Sequence, residues 1–144
     1  MSGRLTATTS TEGHCGTILI ADDDPIALEV ISTVLKNTGW GIKCAMNGRQ
    51  VLDTVDAMHV DGLILDMRMP VLDGYEVCLR LLRRGKKIPT LVVTGHIGDS
   101  EPLGYLNVTR TVLKPISSED LLDFVEMIKS PVEAATLIAS GQNK

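Results

Sequence analysis

The sequence predicts an α/β fold in which helices cover both faces of a doubly wound, five-stranded parallel sheet. The predicted strands read largely as continuous apolar runs, such as Thr17 to Ala21 and Leu91 to Val93. Strands of this kind belong to parallel sheets that are buried on both faces. Segments with apolar residues at helical spacing separate these runs, so that strand and helix alternate five times along the chain.

The first half of the chain supplies three strands and two helices. TILIA is the first strand, and three aspartates follow it. Pro25 suits the first turn of a helix, which we expect to stop at Asn37-Thr38-Gly39. GIKCAMNG predicts a short second strand and a turn. RQVLDTVDAM places Val51, Leu52 and Val55 on one face of a second helix, and DGLILD is the third strand.

The second half continues the alternation. GYEVCLRLLRRG predicts a helix that ends at Gly85, KIPTLVVTGH the fourth strand and TRTVLKP the fifth. Between these two strands, residues 97 to 107 are predicted to be a loop with a short helix. In the final helix Ser117, with Asp120 three residues later, is a variant of the capping box. The inner face of that helix is expected to consist of Leu121, Leu122, Val125 and Ile128.

The length of the chain fits one domain. It has 144 residues, of which 44% are hydrophobic and only 3% aromatic, so an aliphatic core is expected. Residues 1–16 are rich in Ser, Thr and Gly and are predicted to be a disordered tail. The ordered domain is predicted to span residues 17–130. Residues 131–144 are expected to form a C-terminal extension that contains a short helix at 133–140 or frays.

Charge and cysteine content narrow the class of protein. The formal net charge of −4 argues against direct binding of nucleic acid or of an anionic membrane. No apolar run approaches the roughly 20 residues that a membrane span needs, and the N-terminus lacks the apolar core of a signal peptide. The three cysteines show no metal-binding spacing, which favours reduced thiols. We therefore expect a cytoplasmic protein.

Polar side chains follow four of the predicted strands. The first strand ends at Asp22 to Asp24, the third at Asp66, the fourth at Thr94 and the fifth at Lys114. Ligands of an open parallel sheet bind at the carboxyl ends of its strands. Each residue also has an ordinary explanation: the aspartates can cap a helix, the threonine can bond to the backbone and the lysine can be solvated. Asp66 is the hardest to explain in that way, because it follows a very apolar run.

This combination of side chains suits phosphoryl transfer. Three neighbouring carboxylates would not all ionise unaided, and Mg²⁺, which prefers oxygen ligands, would relieve their repulsion. A lysine suits a phosphoryl oxygen, and a threonine hydroxyl can donate to another oxygen of the same group. We therefore interpret Asp66 as a nucleophile that accepts a phosphoryl group, with Mg²⁺ and Lys114 neutralising charge.

The segments ILIADDDP, LILDMRMPVLDG, LVVTGH and VLKPIS resemble the receiver domain of response regulators in two-component signalling. The second segment matches the pattern D-x-x-M-P-x-x-D-G of that family at Asp66, Met69, Pro70, Asp73 and Gly74. The resemblance covers residues 17–130 and implies the flavodoxin-like (βα)5 fold of the CheY-like superfamily.

The resemblance also implies a metal site. Asp66 would be the phosphoacceptor, and Asp22 with Asp23 would be the acid pair that holds Mg²⁺, with Asp24 outside the pair. The backbone carbonyl of Arg68 would complete the set. The implied metal ligands are thus Asp22, Asp23, Asp66 and Arg68.

Further positions are implied around this site. Thr94 would be the switch hydroxyl, Lys114 would bind phosphate, and the X-Pro bond after Lys114 would be cis. Thr111 stands three positions before the lysine, where the family often has an aromatic residue, so any relay from Thr94 must differ here. Arg68 and His96 lie two residues beyond the acceptor and the threonine, at positions that often influence phosphate lifetime.

The function implied is that of a phosphoacceptor in a phosphorelay. A histidine kinase or a histidine phosphotransfer protein, or a small acyl phosphate, would supply the phosphoryl group, and binding to a downstream protein would change. Such a protein catalyses only its own phosphorylation and slow dephosphorylation. It could stand alone, belong to a larger protein or form a homodimer.

Two alternatives come from other classes. The chain could be an interaction module that keeps the fold without phosphorylation, which the threonine at position 111 permits. It could instead be a phosphatase with Asp22 as nucleophile and Asp24 as general acid. The sequence has no insertion long enough to cap a phosphatase substrate, which disfavours the second alternative.

Overall fold

The computed structural model describes residues 16–96 and 108–129. In these residues five strands and four helices occur in the predicted order: β1 (Thr17–Ala21), α1 (Pro25–Leu35), β2 (Gly41–Ala45), α2 (Gly48–Ala57), β3 (Gly62–Asp66), α3 (Gly74–Arg83), β4 (Thr90–Thr94), β5 (Arg110–Leu113) and α4 (Ser118–Met127). None of these four helices has the length and apolar character needed to cross a membrane. The predicted tail, the loop at 97–107 and the C-terminal extension lie outside the described residues, apart from Gly16.

The five strands form one parallel sheet in the order β2-β1-β3-β4-β5. The order reverses between β1 and β3, which is where doubly wound sheets open a crevice at their carboxyl edge. Asp66 at the end of β3 is paired with Val93 of β4. The predicted flavodoxin-like α/β fold is confirmed.

Two apolar layers hold the helices to the sheet. On one face of the sheet, Leu19, Leu63 and Leu65 pack with α2 and α3. On the opposite face, Ile18, Ile20 and Ile64 pack with α1 and α4. Because β3 is covered on both faces, all five of its residues are buried. Burying each such Leu or Ile contributes about 1.5–3 kcal/mol, which anchors the strand that ends in Asp66.

Short polar side chains begin all four helices. The N-cap residues, whose side chains accept a backbone N–H from the first turn, are Asp24, Asn47, Asp73 and Ser117. Helix α3 is followed by Gly85, whose φ of +71° suits the left-handed residue that often follows a helix. Local sequence signals therefore set where these helices start and where α3 stops.

Helix α4 departs from the prediction in two respects. Leu122, predicted on the inner face, is 42% exposed, while Phe124, which the prediction omitted, is buried. The buried residues of the helix are 121, 124 and 125, with the partly buried Ile128 just beyond its end. This is the spacing of one helical face, and position 122 lies off it. The capping box is also only half formed. Ser117 accepts the N–H of Asp120, but the Asp120 carboxylate accepts a hydrogen bond from Nη2 of Arg110 at 3.1 Å.

Candidate functional site

Asp66 lies at the carboxyl end of β3 and is only 3% exposed. The peptide that follows it is held to the next strand, because the N–H of Met67 donates to the carbonyl oxygen of Val93 at 3.0 Å. The N–H of Arg68 donates to Oδ1 of Asp66 at 3.3 Å. The sheet and the loop together therefore orient this carboxylate.

The three aspartates after β1 have different environments. Asp22 is 4% exposed, and its Oδ1 accepts the N–H of Asp24 at 2.9 Å. The side chain of Asp24 caps α1 by accepting the N–H of Ile26 at 3.0 Å. Asp23 is exposed. Carboxylate oxygens of Asp22, Asp23 and Asp66 lie within 4.8 Å of one another, so the structure brings these three together and leaves Asp24 as a helix cap.

Lys114 reaches the same cluster from β5. Its Nζ lies 3.1 Å from Oδ1 of Asp66 and 4.0 Å from Oδ2 of Asp22. Its backbone N–H donates to the carbonyl oxygen of Thr94 at 2.8 Å, which holds the residue that follows β5 beside the end of β4. The peptide bond between Lys114 and Pro115 is cis, as the family resemblance implied.

The electrostatics of the cluster follow from burial and from these neighbours. Burial raises the pKa of Asp22; the N–H of Asp24 opposes that effect, and the charge of Asp66 adds to it. Burial by itself would lower the pKa of Lys114, but the hydrogen bond and charge of Asp66, with the charges of Asp22 and Asp23, outweigh it and raise that pKa. Lys114 is thus held as a cation among carboxylates that still repel one another.

Thr94 ends β4, one residue beyond the partner of Asp66 in the sheet. Its side chain is buried, its Oγ1 donates to the carbonyl oxygen of His96, and it accepts the N–H of His96, both at 3.2 Å. Thr111 lies on β5 opposite Val92 and is half-buried. The hydroxyl of Thr94 is therefore engaged with the loop after β4 in this conformation.

An open cleft of about 610 Å³ adjoins the carboxylates on the side of the loop after β3. Its lining residues are Asp23, Met67, Arg68, Met69, Pro70 and Asp73. The donor set fits Mg²⁺, a hard cation that takes oxygen ligands and usually keeps several waters. The exposed Asp23 and the cleft leave room for those waters.

The loop between β3 and α3 contains features that the sequence did not reveal. Asp73, recognised only as a fixed position of the pattern, caps α3 by accepting the N–H of Glu76 at 2.9 Å. Val71 has a φ of +74°, and the N–H of Leu72 donates to the carbonyl oxygen of Pro70 at 2.8 Å. Together these define a γ-turn, a strained conformation for a β-branched residue. A residue with positive φ in a turn is usually glycine. Because valine stands at position 71, no sequence signal indicated this turn.

Comparisons with known proteins identify the family of the chain. A model of the response regulator receiver domain family matches residues 18–126. The response regulator MprA of Mycolicibacterium vanbaalenii is 36% identical over 107 residues, which cover 73% of this chain and 46% of MprA. The chain thus spans about half the length of the curated relatives that it matches.

Solved structures show the same fold. The signal receiver domain of a signal transduction histidine kinase from Syntrophus aciditrophicus is 27% identical, with a TM-score of 0.70 over 78% of this chain and 89% of that one. The chemotaxis response regulator CheY4 of Vibrio cholerae is 25% identical, with a TM-score of 0.67 over 78% of this chain and 98% of CheY4. From its sequence, its fold and the matching family model, this chain belongs to the response regulator receiver domain family of two-component systems.

Proposed function

We propose that the chain is a cytoplasmic phosphoacceptor, in which Asp66 takes a phosphoryl group from a histidine kinase or a histidine phosphotransfer protein in the presence of Mg²⁺. Binding to a downstream protein would then change. The observation that carries the proposal is the contact between Lys114 and Asp66 inside a cluster of three carboxylates. A structural ion pair would need only one acid. Three carboxylates beside one lysine leave an excess of negative charge, which a bound divalent cation would neutralise.

Asp66 would be the nucleophile. Lys114 and the N–H of Arg68 both bond to its Oδ1, which leaves Oδ2 as the oxygen that attacks phosphorus. As the new O–P bond forms, the P–N bond of the donor phosphohistidine breaks, and its electron pair stays on the imidazole nitrogen. Mg²⁺ held by Asp22, Asp23, Asp66 and the Arg68 carbonyl would supply positive charge to the phosphoryl oxygens.

Lys114 contributes the second positive charge. Its Nζ neutralises the carboxylates before transfer and would stabilise the phosphoryl oxygens during it. Thr94 would act afterwards: its hydroxyl would leave His96 and donate to a phosphoryl oxygen, which biases the loop after β4 toward a second conformation. Because Thr111 is small, this switch would not use an aromatic side chain on β5.

Phosphorylation by acetyl phosphate tests the proposal. We expect the wild-type chain, incubated with acetyl phosphate and Mg²⁺, to gain the mass of one phosphoryl group in an intact mass spectrum. Asp66→Asn should gain none, because an amide is not a nucleophile for phosphorus, and chelation of the metal should abolish uptake by the wild type. Equal uptake by both chains would show that Asp66 is not the acceptor, and no uptake by either would favour the interaction module.

The metal ligands can be tested separately by calorimetric titration with Mg²⁺. Asp23→Asn removes one carboxylate of the cluster and should weaken binding at least tenfold. Asp24→Asn is the matched control, because it removes the neighbouring charge while asparagine still caps α1. Similar losses in the two variants would mean that overall charge, rather than the proposed ligand set, attracts the metal.

A further inference from the structure

Gly74, the first residue of α3, is packed against the peptide that carries Asp66. Its N–H donates to the carbonyl oxygen of Met67 at 2.9 Å. A Cβ added at this position would lie 2.9 Å from the carbonyl oxygen of Asp66, 2.9 Å from Cα of Met67 and 3.1 Å from Sδ of Met67. Two of these three atoms belong to the backbone, so a side-chain rotation cannot relieve the contact.

The peptide between Asp66 and Met67 has little freedom to move away. On one side its N–H is bonded to the carbonyl oxygen of Val93 on β4, and on the other side it meets the first turn of α3. A methyl group at position 74 would therefore displace either this peptide or the start of α3. The Asp66 carboxylate extends from the residue at one end of this peptide, and Arg68 follows the residue at its other end.

We infer that Gly74 is a positioning residue: the absence of a side chain at this position lets α3 approach β3 closely and sets the geometry of Asp66 and of the Arg68 backbone. The inference rests on the proposed function of that site. Mg²⁺ requires near-ideal octahedral geometry at about 2.0–2.1 Å, and functional constellations tolerate displacements of only about 0.5 Å. Relieving a 2.9 Å contact requires a movement of about that size.

Gly74→Ala and a matched glycine variant test this inference. The control is Gly62→Ala, at the opposite end of the same strand, where the added methyl would meet side-chain carbons of Ile18 and Ile128. Three measurements are made on each chain: the Mg²⁺ dissociation constant by calorimetry, the rate of phosphorylation by acetyl phosphate, and urea unfolding without metal. We expect Gly74→Ala to bind Mg²⁺ about tenfold or more weakly, as is typical when support behind metal ligands is lost.

The control separates positioning from stability. Gly62→Ala should unfold at lower urea concentration, because it overpacks the core, yet bind Mg²⁺ like the wild type. A Gly74→Ala chain with the wild-type dissociation constant would overturn the inference. If the wild type itself bound no Mg²⁺, the proposed function would fail instead, and the two failures are thus distinct.

Folding of the variant is checked by circular dichroism. If Gly74→Ala is unfolded in buffer, the titration is repeated in trimethylamine N-oxide, which favours compact states. Weak binding by a chain that is folded there supports the inference. A chain that remains unfolded even there overturns it, because Gly74 would then serve the fold as a whole rather than the geometry of Asp66.

Discussion

Replacing a buried acid of the cluster should make the metal-free protein more stable. Asp22 is 4% exposed, and burial together with the charge of Asp66 raises its pKa, so its charge is unfavourable in the folded chain. Asp22→Asn removes that charge and keeps the hydrogen bond from the N–H of Asp24, because the amide oxygen can accept it. We therefore expect the variant to have a higher free energy of unfolding at neutral pH without Mg²⁺.

The magnitude follows from the distances. At an effective dielectric constant of about 20, charges about 5 Å apart interact by about 3 kcal/mol and charges 4 Å apart by about 4 kcal/mol. Asp22 is repelled by two carboxylates within 4.8 Å and attracted by Lys114 at 4.0 Å, so removing its charge relieves about 2 kcal/mol. Asp23 and Lys114 are exposed, and solvent screening reduces the expected gain to about 1–2 kcal/mol.

Urea and thermal unfolding in a chelator would measure this gain. We expect Tm to rise by about 4–8 °C, since about 1 kcal/mol corresponds to about 4 °C in a domain of this size. Asp24→Asn, which removes a charge outside the cluster, should change stability little. Because the pKa of Asp22 is raised in the folded chain, its charge costs stability above that pKa, and the advantage of the variant should shrink as the pH falls through it.

Added Mg²⁺ should reverse the order of stability. Ligand at a hundred times its dissociation constant stabilises a protein by about 2.7 kcal/mol, and only the wild type keeps its full ligand set. An Asp22→Asn chain that is less stable than the wild type in chelator would refute the electrostatic reasoning. An unchanged order in Mg²⁺ would refute the role of Asp22 as a ligand.

Three further predictions concern other residues. Lys114→Met removes the cation 3.1 Å from Asp66. We expect Mg²⁺ to bind about tenfold more tightly, while phosphorylation by acetyl phosphate slows roughly a hundredfold. Metal affinity and phosphorylation rate that rise or fall together would contradict this. Val71→Gly should raise the free energy of unfolding by about 1 kcal/mol, because glycine relieves the φ of +74°, and Val71→Ala should gain less. Iodoacetamide at mildly alkaline pH should label exposed Cys44 but not Cys78, whose pKa burial raises to about 12. Peptide mass spectrometry would detect this, and equal labelling of the two thiols in the native protein would show that Cys78 is not protected.

Local sequence patterns were sufficient to predict the strands and helices of the described residues. They also predicted which edge of the sheet carries the candidate site. The bounds of β1 follow from the run TILIA, and Pro25 and Ser117 mark helix starts because their chemistry acts within one turn. Asp66 could be singled out because an acid after an apolar run needs a partner. The same approach misassigned Leu122 and omitted Phe124, because a helical face is defined by what packs against it and several stripes can look apolar.

The α/β class, the order of the elements and the polar side chains that end the strands could be predicted from residue order, since these depend on neighbours along the chain. Other features became visible in the three-dimensional packing: Asp22 is buried while Asp24 caps a helix, Lys114 lies 3.1 Å from Asp66, and Gly74 packs against the Asp66 peptide. These are contacts between segments far apart in sequence. Their distances depend on how the helices and strands pack together, which residue spacing alone does not specify.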